Sequence, residues 1–369
     1  MVARLAPLLG EIPHSPVLWL LAFVPVVLVA AKVRPDAHTL LFVLSVFAIV
    51  PLAALLSHAT ESVAAKSGDA AGGLLNATLG NLTELVVALT ALAAGQIMLV
   101  KASIAGAIVT NTLFMLGASF LLGGLRHHVQ EFNRVNARVQ SGLLFLATVA
   151  LLVPSALAMA TPQAAPMAAT LSVGLALLLI AAYALGLLFS LKTHRELFAS
   201  VAHADDDAGE AEAPWPLGLA LVALAVVTVL VALVGEVFVE WVQAAAEAFG
   251  MTPAFVGFIV VSLVGGAAEM ASAFSGARKN RLDLSVGIAL GSSSQIALFV
   301  APVLVLVSWF IGPAPMDLQF WPGAVMMMAV ATLTAVFVTN SGRSAWFMGV
   351  LLLMVYLIFA MTLYLMPPR

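Results

Sequence analysis

Apolar runs of bilayer length follow one another along almost the whole chain, and that spacing leaves few folds open. A helix crossing the hydrocarbon core needs about 20 apolar residues. Eleven such stretches can be marked, at 16–32, 38–58, 72–95, 100–124, 139–160, 166–190, 216–239, 254–276, 284–311, 320–340 and 344–366. Only 9% of the 369 residues are charged and 63% are hydrophobic, whereas a soluble domain carries about 25% charged residues. The expected fold is an all-α polytopic membrane protein with about eleven transmembrane helices. The opening residues MVARLAPLLGEIPHSP show no small-residue cleavage site, so the first run is expected to stay as a helix. The chain has no cysteine, which excludes disulfides and thiolate metal sites.

The connections give an orientation. Counted over alternate loops from the N-terminus, 11 of the 15 Lys and Arg residues fall on one side and 4 on the other. The positive-inside rule then puts the N-terminus in the cytoplasm and the C-terminus outside. One long polar connection, 191–215, interrupts the apolar pattern and carries Asp205, Asp206, Asp207, Glu210 and Glu212. It divides the chain into a first half of six spans (1–190), an acidic cytoplasmic linker (191–215) and a second half of five spans (216–369). The linker lacks the ligand spacing of an EF-hand loop and reads as a solvated segment.

Two acidic residues do not belong to loops. Glu84 lies within GGLLNATLGNLTELVVAL (72–89) and Glu269 within FVGFIVVSLVGGAAEMASAF (255–274). An acidic residue at the centre of a membrane helix costs about 2.5–3.5 kcal/mol on insertion scales, so such residues are functional by default. Their places correspond. A shift of 185 residues carries Gly80 onto Gly265, Glu84 onto Glu269, Ala88 onto Ala273 and Gly106 onto Gly291. The charge count sends the two glutamate-bearing spans in opposite directions, so the halves are expected to be inverted repeats flanking a site near the bilayer midplane.

Helical spacing groups the neighbours. Gly73, Asn76, Ala77, Gly80, Asn81, Glu84 and Ala88 recur at three or four residues, as do Ser262, Gly265, Gly266, Glu269, Ser272, Ala273 and Gly276. Small residues let helices approach and bare backbone carbonyls to an ion. The next span of each half adds Ser103, Thr110 and Asn111, and Ser292, Ser293, Ser294 and Gln295. Carboxylate, amide and hydroxyl oxygens suit a hard cation such as Ca²⁺, with its six to eight oxygen ligands. Neither motif contains His or Cys, so softer metals are disfavoured. Two empty carboxylates in a poorly solvated place repel each other, and either a divalent cation or two protons relieves them. Burial disfavours the charged form of a carboxyl group. A site that holds the cation or the protons, and opens to either side, is an antiporter.

At these residues the chain resembles the cation/proton exchanger family, CAX, of the calcium/cation antiporter superfamily. GGLLNATLGNLTEL (72–85) is close to a family pattern of the form GGLLNATFGNATEL, and KNRLDLSVGIALGSSSQIALFVAP (279–302) is close in the second half. The resemblance covers nearly the whole membrane region. It implies eleven helices, a cytoplasmic acidic segment between the sixth and seventh, and exchange of Ca²⁺ against H⁺. Carried onto matching positions, it makes Glu84 and Glu269 the central cation ligands, with Asn81, Thr110 and Gln295 as helpers. Asn111, Ser292, Gly80, Gly265 and Gly266 are secondary candidates. One departure stands out: the family's second motif usually reads GNAAEH, and this chain reads GGAAEM (265–270). Gly266 and Met270 bear on cation choice, affinity and the proton route.

Blander readings compete with these. The carboxyls could be structural, and the hydroxyls and amides could only join helices. Glu61, Glu236, Glu240 and Glu247 read as interface charges, with a cation vestibule as the alternative. His58, His127 and His128 read as interface residues, and the 15 methionines as apolar filler. Rival functions are an Na⁺ or K⁺/H⁺ antiporter of the same fold, an Na⁺/Ca²⁺ exchanger and, from another class, a cation channel. The absence of HExxH and of a serine–histidine pair at membrane depth argues against a hydrolase. No enzyme activity and no cofactor beyond the transported Ca²⁺ and H⁺ are expected. The expected partners are membrane lipid and those ions, with no nucleic acid; a homo-oligomer is compatible with the sequence. A bacterial inner membrane is the expected location.

Overall fold

A computed structural model describes residues 15–160, 165–198 and 214–365. The acidic run from Asp205 to Glu212 lies outside the described residues. Thirteen helices account for most of the rest. They are α1 (Pro16–Val33), α2 (His38–Lys66), α3 (Asp69–Leu79), α4 (Leu82–Ala93), α5 (Ile97–His127), α6 (Arg134–Ala160) and α7 (Ala165–Leu188) in the first half. The second half has α8 (Leu217–Ala248), α9 (Pro253–Gly265), α10 (Ala267–Arg278), α11 (Leu282–Val307), α12 (Pro322–Thr339) and α13 (Trp346–Leu365).

Among the described residues, nine helices are long and apolar enough to cross a bilayer singly, and two bent pairs do so together. Each expected span is present. Two of them are broken: α3 and α4 meet at 42°, α9 and α10 at 60°. Both breaks fall at the glycines singled out in the sequence, Gly80–Asn81 and Gly266. A membrane helix tolerates a break only where the freed backbone groups are buried in protein or line a wet cavity.

The centre is built from α5 and α11, whose most apolar windows are 83% and 72% buried, against 17–28% for α1, α7, α8 and α13. Their sequences explain the placement. Ala102, Ala105, Gly106 and Ala107 on α5, and Ala289, Ser292, Ser293 and Ser294 on α11, are small and buried, so neighbours can approach closely from all sides. Both helices loosen to a π turn at matching places, Thr110–Met115 and Ile296–Val300. Pro302 follows the second, where a wider turn relieves its missing N–H.

Two long helices, α2 and α8, lie side by side and run in opposite directions. The His38 ring packs tilted on Trp241 with centroids 4.3 Å apart, Phe42 stacks on Phe238 at 5.3 Å, and the Trp215 backbone N–H, just before α8, donates to Ser62 Oγ at 3.0 Å. Low numbers in one helix therefore meet high numbers in the other. The all-α expectation holds apart from a two-stranded ribbon, β1 (Val129–Glu131) with β2 (Arg343–Ala345), which pairs Gln130 with Ser344. It clips the α5–α6 connection to the start of α13.

Two connections reach across to the opposite half. From the α5–α6 connection, Gln130 Nε2 donates to the Ala277 carbonyl and to Asn280 Oδ1, both at 2.9 Å, at the α10–α11 turn. From the α11–α12 connection, Asp317 pairs with Lys101 at the start of α5, and Gly312 lies against the Leu92 carbonyl at the end of α4. That connection is irregular and deeply buried at Met316, Leu318 and Phe320. Its N–H groups find serine hydroxyls: Leu318 donates to Ser172 and Phe320 to Ser155, each at 2.9 Å.

Candidate functional site

The two helix breaks meet in the interior. Glu84 sits in the first turn of α4 and Glu269 in the first turn of α10. A helix start offers unpaired N–H groups and the positive end of the dipole, which favours a carboxylate there. The preceding helices, α3 and α9, end at the same breaks, where last-turn carbonyls lack helical partners. Half-helix ends that supply carbonyl oxygens at membrane depth are a recurrent way to hold a cation.

Glu84 and Glu269 line one narrow cavity of about 10 Å³ together with Gly80, Thr83, Gly265 and Ser57. Glycine at 265 is what lets Glu84 lie there: a Cβ at that position would stand 3.3 Å from Glu84 Cγ and 3.5 Å from its Oε1. Gly80 does the same for the other half, since a Cβ there would stand 3.3 Å from Gln295 Oε1. The matching glycines of the two motifs thus serve one purpose, admitting a polar side chain of the opposite half.

A hydrogen-bonded chain joins the two sides. Asn111 Nδ2 donates to Ser292 Oγ at 2.9 Å, and Ser292 Oγ donates to Asn81 Oδ1 at 2.7 Å. Beyond that chain the polar groups run out of partners. Asn81 Nδ2, Gln295 Nε2 and Glu269 Oε2 are buried without a hydrogen bond. Unsatisfied buried polar atoms cost about 1–3 kcal/mol each; two of these are amide donors and one is a carboxylate oxygen, a set that water can satisfy and in which only the carboxylate oxygen can hold a cation.

Of the residues expected at the site, Glu84, Glu269, Asn81, Asn111, Ser292, Gln295, Gly80 and Gly265 come together. Thr110 is set apart, because its hydroxyl lies 3.3 Å from the Tyr356 hydroxyl of α13. Ser103 turns to its own helix and bonds the Val100 carbonyl. Ser293 and Ser294 back-bond to Ala289 and Leu290. At Gly266, the space that an amide side chain would enter is bounded by Met270 Cε at 3.2 Å and Asn111 Oδ1 at 3.7 Å from an added Cβ. Among the described residues no three His, Asp or Glu side chains converge. A cation held here would draw on two carboxylates, with amide, hydroxyl, backbone and water oxygens completing the shell.

A large polar cavity of about 750 Å³ leads away from Glu269. Its walls come from α2, α3, α6, α7, α10 and α11, and it ends among Glu61, Arg281 and Asp283. Glu61 accepts from Ser57 Oγ at 3.2 Å near that end. Asn136 and Gln140 of α6 and Tyr183 of α7 also line it, and none of them was singled out in the sequence. The signal available was the amide run Asn133, Asn136 and Gln140 at helical spacing. On the other side Glu84 faces a cavity of only about 30 Å³, enclosed by Ile49, Val87, Ile104, Phe238, Val264 and other apolar groups.

Known proteins resemble the chain over most of its length. Residues 37–192 and 219–365 match the family described as sodium/calcium exchanger protein. The chain is 40% identical to a Ca²⁺/H⁺ antiporter of Aphanothece halophytica, over 94% of this chain and 96% of that protein. It is 39% identical to the Ca²⁺/H⁺ antiporter ChaA of Bacillus subtilis, over 88% and 92% respectively. Among solved structures, native YfkE superimposes with a TM-score of 0.80 at 36% identity, covering 94% of this chain and 98% of that one. With both halves matched and the relatives spanned almost end to end, the chain is an integral membrane protein of the sodium/calcium exchanger family.

Proposed function

We propose that the protein is a secondary-active Ca²⁺/H⁺ antiporter in which Ca²⁺ and protons compete for Glu84 and Glu269. The observation that carries the reading is the meeting of two broken helices, each opening with a glutamate, around one narrow cavity. Two carboxylates neutralise one divalent cation; without it, protons must take its place, because an uncompensated pair of charges in a dry interior is costly. Binding of one therefore requires release of the other. Relatives that act as Ca²⁺/H⁺ antiporters support Ca²⁺ as the cation.

Asn81 and Gln295 complete the shell in this reading through their side-chain oxygens; their unpartnered Nδ2 and Nε2 are donors, suited to water or a carboxylate and not to the cation. Ser292 and Asn111 orient Asn81. Thr110 belongs to the shell only if its bond to Tyr356 opens. The halves act as inverted repeats: the bent pairs are the third and eighth spans, so they cross in opposite directions, and α2 and α8 pair antiparallel. By the charge bias, the wide cavity ending at Glu61, Arg281 and Asp283 opens to the cytoplasm. The location is a bacterial-type inner membrane with the N-terminus inside.

The test uses purified protein in liposomes with an internal pH dye and an imposed pH gradient. Adding Ca²⁺ should move protons in wild type and not in Glu269→Gln or Glu84→Gln. A response to Na⁺ or K⁺ alone would transfer the reading to a monovalent cation. Ca²⁺ flux without proton movement would remove the antiport reading.

A further inference from the structure

We infer that α3 is the movable wall of the site: in the opposite state it closes on α11 through Ala77 and Gly291, and Tyr183 holds it in the open position seen here. The inference rests on the two-repeat reading above and adds a specific contact that this structure does not contain.

The argument starts from the sealed seam between α5 and α9. A Cβ at Gly106 would stand 2.1 Å from the Phe258 carbonyl oxygen and 2.4 Å from Ser262 Oγ. A Cβ at Gly257 would stand 2.6 Å from Ala102 Cβ. The two helices touch backbone to backbone. Shifted by 185 residues, Gly106 becomes Gly291, Phe258 becomes Gly73, Ser262 becomes Ala77 and Ala102 becomes Gly287. The second set is as small as the first, yet it is apart. Nothing lies within 4 Å of a Cβ at Gly291, and the nearest atom at Gly287 is Asn136 Nδ2 at 3.9 Å. Gly73, Ala77, Gly287 and Gly291 instead line the wide cavity. The same seam is made in one half and unmade in the other, and the two bends differ accordingly, 60° at the made seam and 42° at the unmade one.

The attachments of the bent pairs differ between their two ends. The far ends of α4 and α10 are tied to the opposite half, through Gly312 on the Leu92 carbonyl and through Gln130 on the Ala277 carbonyl. On the cavity side α3 is held by α7. Tyr183 Oη donates to the Ala77 carbonyl at 2.5 Å, and a Cβ at Gly73 would stand 2.8 Å from Leu191 Cδ2. Ala77 is in the last turn of α3, where the break leaves carbonyls without helical partners, so the tyrosine supplies a bond that the helix lacks. Swinging α3 about Gly80–Asn81 onto α11 breaks that bond and closes the cavity. Tyr183 is thus a positioning residue, acting through the α3 backbone.

The chain has no native cysteine, so the contact can be trapped directly. Ala77→Cys with Gly291→Cys, in proteoliposomes under mild oxidation, should form a disulfide detectable by mass spectrometry of the linked peptides. Adding Tyr183→Phe should raise its rate of formation severalfold, and the disulfide should block exchange until reduced. Gly73→Cys with Gly291→Cys is the second pair should the first fold poorly. Absence of a disulfide from both pairs, with and without Ca²⁺, while Gly291→Cys alone reacts with a water-soluble maleimide, would overturn the closure. An unchanged rate in Tyr183→Phe would remove the tyrosine from it. The cross-link is read without ion flux, so a pair that forms in a protein moving no Ca²⁺ would uphold the closure and sink the ion assignment instead.

Discussion

Glu84 and Glu269 start their helices alike and end in unlike surroundings. Glu269 stands at the head of a cavity of about 750 Å³ lined by amides and hydroxyls. Glu84 faces about 30 Å³ walled by valine, isoleucine and phenylalanine. The motifs share both glutamates and the glycines at 80 and 265, but Asn76 on the wide side answers to Val261 on the narrow one, and so part of the contrast is written in them. The rest comes from whether the helix before each break lies against its neighbour. Two halves of similar sequence need not be alike at one moment; a site reached from one side at a time requires that they differ.

The comparison breaks most sharply at the carboxyls. If the two share one cation, Glu84→Gln and Glu269→Gln should each reduce Ca²⁺-driven proton flux to that of protein-free liposomes. A large residual flux in Glu84→Gln alone would make Glu269 the whole site and Glu84 a neighbour. Water access should separate the halves next. A minor conformation is commonly populated at about 0.1–10%, so Gly291→Cys should react with a water-soluble thiol reagent roughly 10–1000-fold faster than Ser103→Cys. Equal rates would show that the enclosed side is open in solution.

Packing gives a smaller contrast. Gly106→Ala places a methyl against the Phe258 carbonyl, and overpacking of that kind costs about 1–3 kcal/mol. Gly291→Ala meets no atom within 4 Å and should stay within about 0.5 kcal/mol of wild type. Thermal unfolding in detergent checks both. The finest contrast lies between Thr110 and Gln295, which are equivalent by position. Gln295→Ala should raise the half-saturating Ca²⁺ concentration about tenfold, near 1.4 kcal/mol. Thr110→Val should leave it unchanged and lower stability by about 1 kcal/mol through the lost bond to Tyr356. An unchanged half-saturating concentration in Gln295→Ala would move that amide out of the site.

These contrasts also mark how far the sequence could be read. The number and order of the spans were legible because hydropathy fixes them, but α2 and α8 run on to Lys66 and Ala248, past the ends at 58 and 239 that the apolar runs suggest. The clustering of Glu84, Asn81, Gly80 and Glu269 was legible because an acid at membrane depth has few other uses. Thr110 shows where periodicity stops: α5 widens to a π turn at that residue, and a wider turn changes which way the following side chains face. The breaks at Gly80–Asn81 and Gly266 were hidden because glycine is common in unbroken membrane helices, and only tertiary packing decides which glycines become bends. The walls of the wide cavity were hidden for a similar reason. Asn136, Gln140 and Tyr183 sit on helices outside the two motifs, and only the fold brings them to Glu269.

The narrow space beside Glu84 has a consequence for rate as well as place. The cavity that Glu84 shares with Glu269, about 10 Å³, admits roughly one water molecule, at about 10–15 Å³ of probe-occupied volume for each. A cation arriving with a full hydration shell cannot enter with it. If the two carboxylates share the cation as proposed, it gives up its water at Glu269 before the second carboxylate can bind. Mg²⁺ surrenders water reluctantly and demands near-ideal octahedral geometry, whereas Ca²⁺ accepts an irregular oxygen shell. Discrimination between the two would then be a matter of how quickly each can be undressed, set by the tightness of an apolar wall that never touches the ion.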